Sequence, residues 1–192
     1  MHKRHAIAGH ARQAGGTVTC GMTFTLRTAT AADATLVADI SRQTFYDAFA
    51  ADNTPEDMAL FLNEQFTRGR LMLEVGRPGL HFILAYDGPT VAAYAKLRDG
   101  KTPPALGSSN ALEIARLYAC TPYIGRGAGR ALMAESLRIA GERGKDWVWL
   151  GVWEHNQRAI DFYSAWGFEK FDECDFLLGT DVQRDWLMRR KV

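Results

Sequence analysis

From Phe24 the chain alternates apolar and polar positions, Phe24-Thr-Leu-Arg-Thr28, a period of two that predicts a first strand. Thr30-Ala-Ala-Asp33 has the spacing of a capping box. Behind it Leu36, Val37, Ile40, Phe45 and Phe49 fall on or near one helical stripe that ends around Ala51. Thr54 before Pro55 marks a second helix start, and Met58, Phe61, Leu62 and Phe66 carry that helix toward Gly69. Residues 81–86 and 91–97 are apolar runs flanking Asp87-Gly-Pro-Thr90; they predict an antiparallel hairpin whose turn Pro89 lengthens. A loop over 101–110, rich in Pro, Gly and Ser, precedes the alternating stretch Glu113-Ile-Ala-Arg-Leu-Tyr-Ala119. Leu132, Met133, Leu137 and Ala140 then form the stripe of a helix over 126–141, and Trp147-Val-Trp-Leu-Gly-Val-Trp153 is an almost continuous apolar strand. A strand–helix–strand unit of this length implies a right-handed parallel crossover. Asn156 caps a last helix with Ala159, Phe162, Tyr163 and Trp166 at helical spacing, stopped by Gly167, and 168–178 and 186–190 read as closing strands. The expectation is an α/β (α+β) domain over 22–192, its mixed sheet mostly antiparallel and flanked by helices on both faces.

Composition narrows the class. With 192 residues, 47% apolar and 11% aromatic, the chain is long enough for a sizeable core. The formal charge is +1. Lys3, Arg4 and Arg12 account for the excess, so the body is slightly acidic, which argues against a nucleic-acid partner. No run approaches the ~18 apolar residues of a membrane span. Cys20, Cys120 and Cys174 match neither a disulfide framework nor a metal clip, pointing to a reducing, cytoplasmic setting with no metal. Residues 1–21 lack an apolar signal region and read as a disordered leader.

The most specific stretch is Tyr123-Ile-Gly-Arg-Gly-Ala-Gly-Arg-Ala-Leu-Met133. Gly125, Gly127 and Gly129 stand where the chain enters a helix, so the first N–H groups lie open to an anion, and the helix dipole favours a phosphate there. No Gly-Lys-Ser/Thr occurs, which excludes a P-loop. Arg130 takes the place where a dinucleotide fingerprint would put its last glycine. The alternative is a flexible turn whose glycines allow close helix packing.

Taken with Trp147–Val152 and Asn156-Gln-Arg-Ala-Ile-Asp-Phe-Tyr-Ser-Ala-Trp-Gly-Phe168, this stretch resembles the GCN5-related N-acetyltransferase (GNAT) superfamily over nearly the whole body from Met22. Glu-Ile-Ala-Arg-Leu-Tyr at 113–118, Trp-Leu-Gly-Val-Trp-Glu at 149–154 and Phe-Leu-Leu-Gly-Thr-Asp-Val-Gln-Arg-Asp-Trp-Leu-Met at 176–188 are similar to the PaiA-type spermidine/spermine acetyltransferases. The resemblance implies acetyl-CoA as co-substrate, a small amine as acceptor with polyamines preferred, and two central parallel strands that splay apart. Ile124 stands where the family's turn usually carries Gln or Arg, and Cys174 where a His is expected.

That resemblance assigns Gly125, Arg126, Gly127, Ala128, Gly129 and Arg130 to the diphosphate. Leu117, Tyr118 and Ala119 would pair with the pantetheine arm, with Asn156 touching it as well. Tyr163 matches the family's acid tyrosine; the other reading is a core aromatic. An alkylamine with a pKa of ~10.4 needs a base, and Glu113 is the candidate, against a reading as a strand carboxylate paired with Arg116. Phe45, Tyr46 and Phe49 would wall the acceptor site, with Asp172, Glu173 and Asp175 supplying negative charge. No Cys–His pair favours an acyl-enzyme, so direct transfer is expected. Acetylation of a protein N-terminus, a lysine or an antibiotic amine, or a non-catalytic acyl-CoA-binding module, are the rival readings; a homodimer is compatible with the pattern.

Overall fold

A computed structural model describes residues 22–100 and 102–192; the leader expected at 1–21 lies outside them. Seven strands form one sheet: β1 (Thr25–Thr28), β2 (Leu80–Asp87), β3 (Thr90–Asp99), β4 (Ala111–Ala119), β5 (Trp147–Trp153), β6 (Glu169–Leu178) and β7 (Asp181–Lys191). Their order is β1-β2-β3-β4-β5-β7-β6, with β7 inserted between β5 and β6. All neighbours are antiparallel except β4 and β5.

Helices cover both faces because both faces of the central strands are apolar. On one side lie α1 (Ala34–Phe49), α2 (Pro55–Leu60), which continues as a π-turn over Phe61–Gln65, and α3 (Arg68–Glu74). Phe45, Met58, Phe61, Phe66, Leu71 and Leu178 form the core beneath them. On the other side α4 (Ala128–Glu142) and α5 (Gln157–Ala165) bury Leu132, Met133, Ile160 and Tyr163 against Ile83, Leu112, Val148 and Leu150.

Three boundaries differ from the sequence expectation. The chain does not stop at Gly69: Thr67 accepts a hydrogen bond from the Arg70 N–H and starts α3, whose single buried residue, Leu71, leaves no stripe to read. Glu74 fastens that helix to the sheet, accepting from Lys96 Nζ at 2.6 Å and Arg116 Nη1 at 2.7 Å. Strand β7 begins at Asp181 rather than 186, since its polar first half is held by the ladder with β6 and not by burial. Helix α4 begins at Ala128, after Gly127 at φ 100°.

Candidate active site

Two features of the central strands shape the site. β4 and β5 pair only at Ala111↔Trp147, Leu112↔Val148 and Glu113↔Trp149, after which each strand runs on without the other. The β5-facing edge of β4 is therefore open over Leu117, Tyr118 and Ala119, whose other edge stays bound to β3 at Ala95, Tyr94 and Ala93. The second feature is a bulge in β4. Lys96 pairs with Arg116 but Leu97 with Ile114, so Ala115 is an extra residue. Leu112 and Ile114 before it, and Leu117 and Ala119 after it, all face α4 and α5, while Arg116 and Tyr118 turn to the α1 side. Gly151 lies just past the last parallel pair. It pairs regularly with Leu187, so it marks no bulge, and a Cβ there would lie at contact distance, 3.4 Å, from Asp185 Oδ2.

At the end of β4 the chain turns through Thr121–Tyr123 into the glycine corner. Gly125 and Gly127 have φ of 76° and 100°, a region that disfavours any side chain with a Cβ. The N–H groups of Gly125, Gly127, Ala128, Gly129 and Arg130 donate to no backbone carbonyl among the described residues, and Ala131 N–H makes the first bond of α4, to Gly127. Such a row of free donors at the N-terminus of a four-turn helix suits an anion of two phosphates. Arg126 and Arg130 are exposed beside it, as is Ile124. Gly129 is helical and has room for a methyl group, 3.8 Å from Leu117 and Phe162.

Across the opening stands Tyr163 on α5, buried between Phe162 and Phe168 with ring centroids 5.4 and 6.0 Å away. Burial alone pushes its phenol up to about 12, so the proton is held throughout the neutral range. The half-buried phenol of Tyr118 is also pushed up, first by burial, then by the nearby Tyr94, Tyr163 and Asp185. Tyr118 thus has both Tyr163 and Asp185 as neighbours at the mouth of the splay. Asn156 accepts from the Ala159 N–H at 3.2 Å and caps α5, which aims that helix.

Glu113 is placed differently from its expected role. Its carboxylate is buried at the closed end of the splay and gripped by both Arg98 Nε and Arg98 Nη2, the latter at 2.7 Å. Arg98 is the cross-strand neighbour on β3; Arg116, suggested by proximity in sequence, is turned by the bulge onto the same face as Glu113 but pairs with Glu74 of α3. The three aromatics of α1 separate as well. Phe45 is a core residue stacked on Phe61 at 4.6 Å, and Tyr46, half exposed, faces the outer side of α1 with Asp39, Arg42 and Leu62. Only Phe49 reaches the site, edge-on to Tyr118 and Trp153 at 6.3 Å each.

Beyond Trp153 lies an open cleft bounded by Asp52, Glu154, Asp175 and Asp181, with Arg184 and His155 at its rim. Of the three acidic residues expected to serve a cation, Asp175 borders this cleft, whereas Glu173 is taken by Lys170 and Arg184, each at 3.0 Å. One wall of the cleft is the β6–β7 hairpin. Asp57 accepts from Thr180 N–H at 2.7 Å and Thr180 Oγ1 at 2.8 Å, and Gln183 donates to Asn53 at 2.6 Å, tying the hairpin to the first turn of α2 and to the α1–α2 connection. Cys174 is exposed on β6, cross-strand from Asp185, its thiol pushed up by burial and by the carboxylates of Asp185, Asp175 and Asp172. Cys120 is half-buried, its thiol pushed up by burial and its Sγ 3.6 Å from the Val91 carbonyl, an inert setting. Asp185 and Trp153 were not expected here. Their signal is the isolated carboxylate of Asp185 next to Trp186, readable only once β7 is known to lie against β5.

Comparison with known proteins places this geometry. Residues 38–168 match the model of the acetyltransferase (GNAT) family. An uncharacterized N-acetyltransferase of Lactobacillus delbrueckii subsp. lactis is 41% identical over 158 residues, covering 80% of this chain and 88% of that protein. The crystal structure of the PaiA N-acetyltransferase from Thermoplasma acidophilum, in complex with coenzyme A, superposes with a TM-score of 0.72 at 20% identity, covering 89% of this chain and 100% of that one. The YncA protein of Salmonella typhimurium, solved with its cofactor acetyl-CoA, gives 0.65 at 19% identity over 88% and 93% of the two chains. At these identities the two structures speak to the fold.

Proposed function

The chain belongs to the GNAT family of N-acetyltransferases, and from that premise we propose that it moves the acetyl group of acetyl-CoA directly to a small primary amine, with spermidine and spermine preferred. One observation carries the reading: the free N–H row of the glycine corner follows directly on the unpaired end of β4, and a Cβ at Gly129 would lie 3.8 Å from both Leu117 of that strand end and Phe162, the residue before Tyr163. In this reading the N–H groups of Gly125, Gly127, Ala128, Gly129 and Arg130 hold the diphosphate, the Arg126 and Arg130 side chains add charge at the rim, and the free edge of β4 at Leu117–Ala119 receives the pantetheine amides as an added strand would be received. When bound, acetyl-CoA supplies an acyl group activated as a thioester. Main-chain donors of the β4 edge near Ala119 stabilise negative charge on the carbonyl oxygen, and the Tyr163 hydroxyl donates to the departing sulfur.

The polyamine preference is supported by the cleft beyond Trp153. Asp52, Glu154, Asp175 and Asp181 outnumber Arg184, so the local field draws in a polycation while Phe49 and Trp153 pack along its methylenes. A panel of amines with acetyl-CoA, followed by release of free thiol, tests both levels. Turnover with spermidine and spermine is expected. If these are inert and a peptide N-terminus or an aminoglycoside reacts, the acceptor assignment is wrong; if no amine reacts, the enzyme reading fails.

A further inference from the structure

We infer that Asp185 is the catalytic base, the group that takes the proton the acceptor ammonium must lose. The inference rests on the acetyltransferase reading above and names the group that reading lacks, because Glu113 is occupied by Arg98 at the closed end of the splay.

Three observations carry it. The first is position: β7 sets Asp185 opposite Trp153 of β5 and Cys174 of β6, with its Oδ2 over Gly151, just past the point where β4 and β5 separate. The second is isolation. Glu74, Asp99 and Glu113, three other partly or fully buried carboxylates, each have a cationic partner at 2.7 Å or less. Asp185 is half-buried and makes neither an ion pair nor a hydrogen bond among the described residues. A lone carboxylate in such a place destabilises the fold, and groups kept at that cost concentrate where chemistry needs them. The third is the floor beneath it. A methyl group at Gly151 would already touch Asp185 Oδ2 at 3.4 Å, so the glycine leaves that side of the carboxylate uncovered. The titratable groups facing it are Tyr118 from β4 and Cys174 from β6; β5 contributes only Gly151 and Trp153. Without a compensating cation, burial lifts its carboxyl from 3.8 to about 6, close to the working pH, where a general base is most effective.

The proton balance is complete. The bound ammonium gives one proton to Asp185, and the freed lone pair forms the bond to the acetyl carbon as the carbon–sulfur bond breaks. The sulfur leaves with the electron pair and takes the Tyr163 hydroxyl proton, while that oxygen is reprotonated by the second N–H proton of the new amide nitrogen. Asp185 then releases its proton to solvent, so each turnover yields amide, free thiol and one proton.

The test uses the full chain and Asp185→Asn, with coenzyme A binding as the check that the fold is intact. For wild type, kcat/KM with spermidine rises through an acid limb near pH 6 and then levels. In Asp185→Asn it falls about 10²–10⁴-fold at pH 7, the size of a general-base contribution, the limb disappears, and the rate climbs with the free-amine fraction toward pH 10. Hydroxylamine, uncharged at neutral pH, loses much less. A readout without acetyl-CoA is the carbon-13 titration of the Asp185 carboxyl, whose midpoint moves down when spermidine binds beside it. A wild-type profile lacking the limb, a variant that keeps it, or equal losses on both nucleophiles overturns the inference. Wild type that releases no thiol with any amine sinks the acetyltransferase reading and the inference together.

Discussion

Gly179, at the tip of the β6–β7 hairpin, is the position where one methyl group should do the most damage. A Cβ there would sit 2.6 Å from Asp57 Cα and Oδ1 and 2.7 Å from the Asp57 carbonyl oxygen, and φ is +63°. The left-handed conformation costs a residue with a Cβ about 1–2 kcal/mol. Forcing a methyl into backbone atoms adds about 1–3 kcal/mol. Gly179→Ala should therefore lose about 2–5 kcal/mol, and at about 2–4 °C per kcal/mol for a chain of this size the midpoint of thermal unfolding falls by about 4–20 °C. The damage is local in function. Pushing Asp57 away breaks its bonds to Thr180 and loosens the wall of the acidic cleft, so KM for spermidine rises while coenzyme A affinity, set by the glycine corner, stays the same. Gly69 on α3 is the control: it is helical with nothing within 4 Å, so Gly69→Ala should be neutral or stabilising by up to about 1 kcal/mol. Scanning calorimetry and acceptor titrations measure both effects. A Gly179→Ala protein that melts with wild type, or one whose loss of affinity falls on coenzyme A instead, refutes the reasoning.

Other expectations are as direct. Tyr163→Phe keeps coenzyme A binding and lowers kcat at least about ten-fold, since only the proton donor to the sulfur is removed; an unchanged kcat, measured by thiol release, assigns Tyr163 to the core alone. Gly127→Ala cannot hold φ 100° without strain, and its displaced N–H groups should weaken acetyl-CoA binding about ten-fold or more, which is about 1.4 kcal/mol. Asp185 also sets a pH dependence of stability. Its folded pKa lies above the unfolded value, so it is neutral on folding below pH ~4, and stability is lost as pH rises from there through about 6. The loss approaches about 3 kcal/mol, so Asp185→Asn should be more stable than wild type at pH 7 and no different at pH 4 by chemical denaturation. Equal stability at both pH values would mean the carboxyl is solvated.

Most of the framework was legible in the chain because it follows strong periodicity. The alternation of 113–119, the apolar run of 147–153 and the helix between them predict a parallel pair, and β4 and β5 are that pair. The glycine corner was legible because positive φ leaves glycine as the natural choice at 125 and 127. What escaped is what depends on neighbours distant in sequence. The bulge at Ala115 changes which face Arg116 and Tyr118 occupy, and the two apolar residues in a row at Ile114 and Ala115 do not by themselves announce an extra residue. Glu113 lost its expected role to Arg98, a partner fixed by strand register rather than by spacing. Phe45, Tyr46 and Phe49 looked like one wall, yet at 100° per residue a helix sends Phe45 and Phe49 to the core side and Tyr46 outward. Asp185 needed the insertion of β7 beside β5, a crossover that local pattern does not encode.

The central claim, that the glycine corner grips the diphosphate so that the acyl group reaches the split between β4 and β5, is tested most directly by calorimetric titration with acetyl-CoA and with S-acetylpantetheine, which lacks the diphosphate. Saturable binding of acetyl-CoA at one site, with S-acetylpantetheine at least about 100-fold weaker, is the predicted result. Equal affinity for the two, or no heat with either, would contradict it.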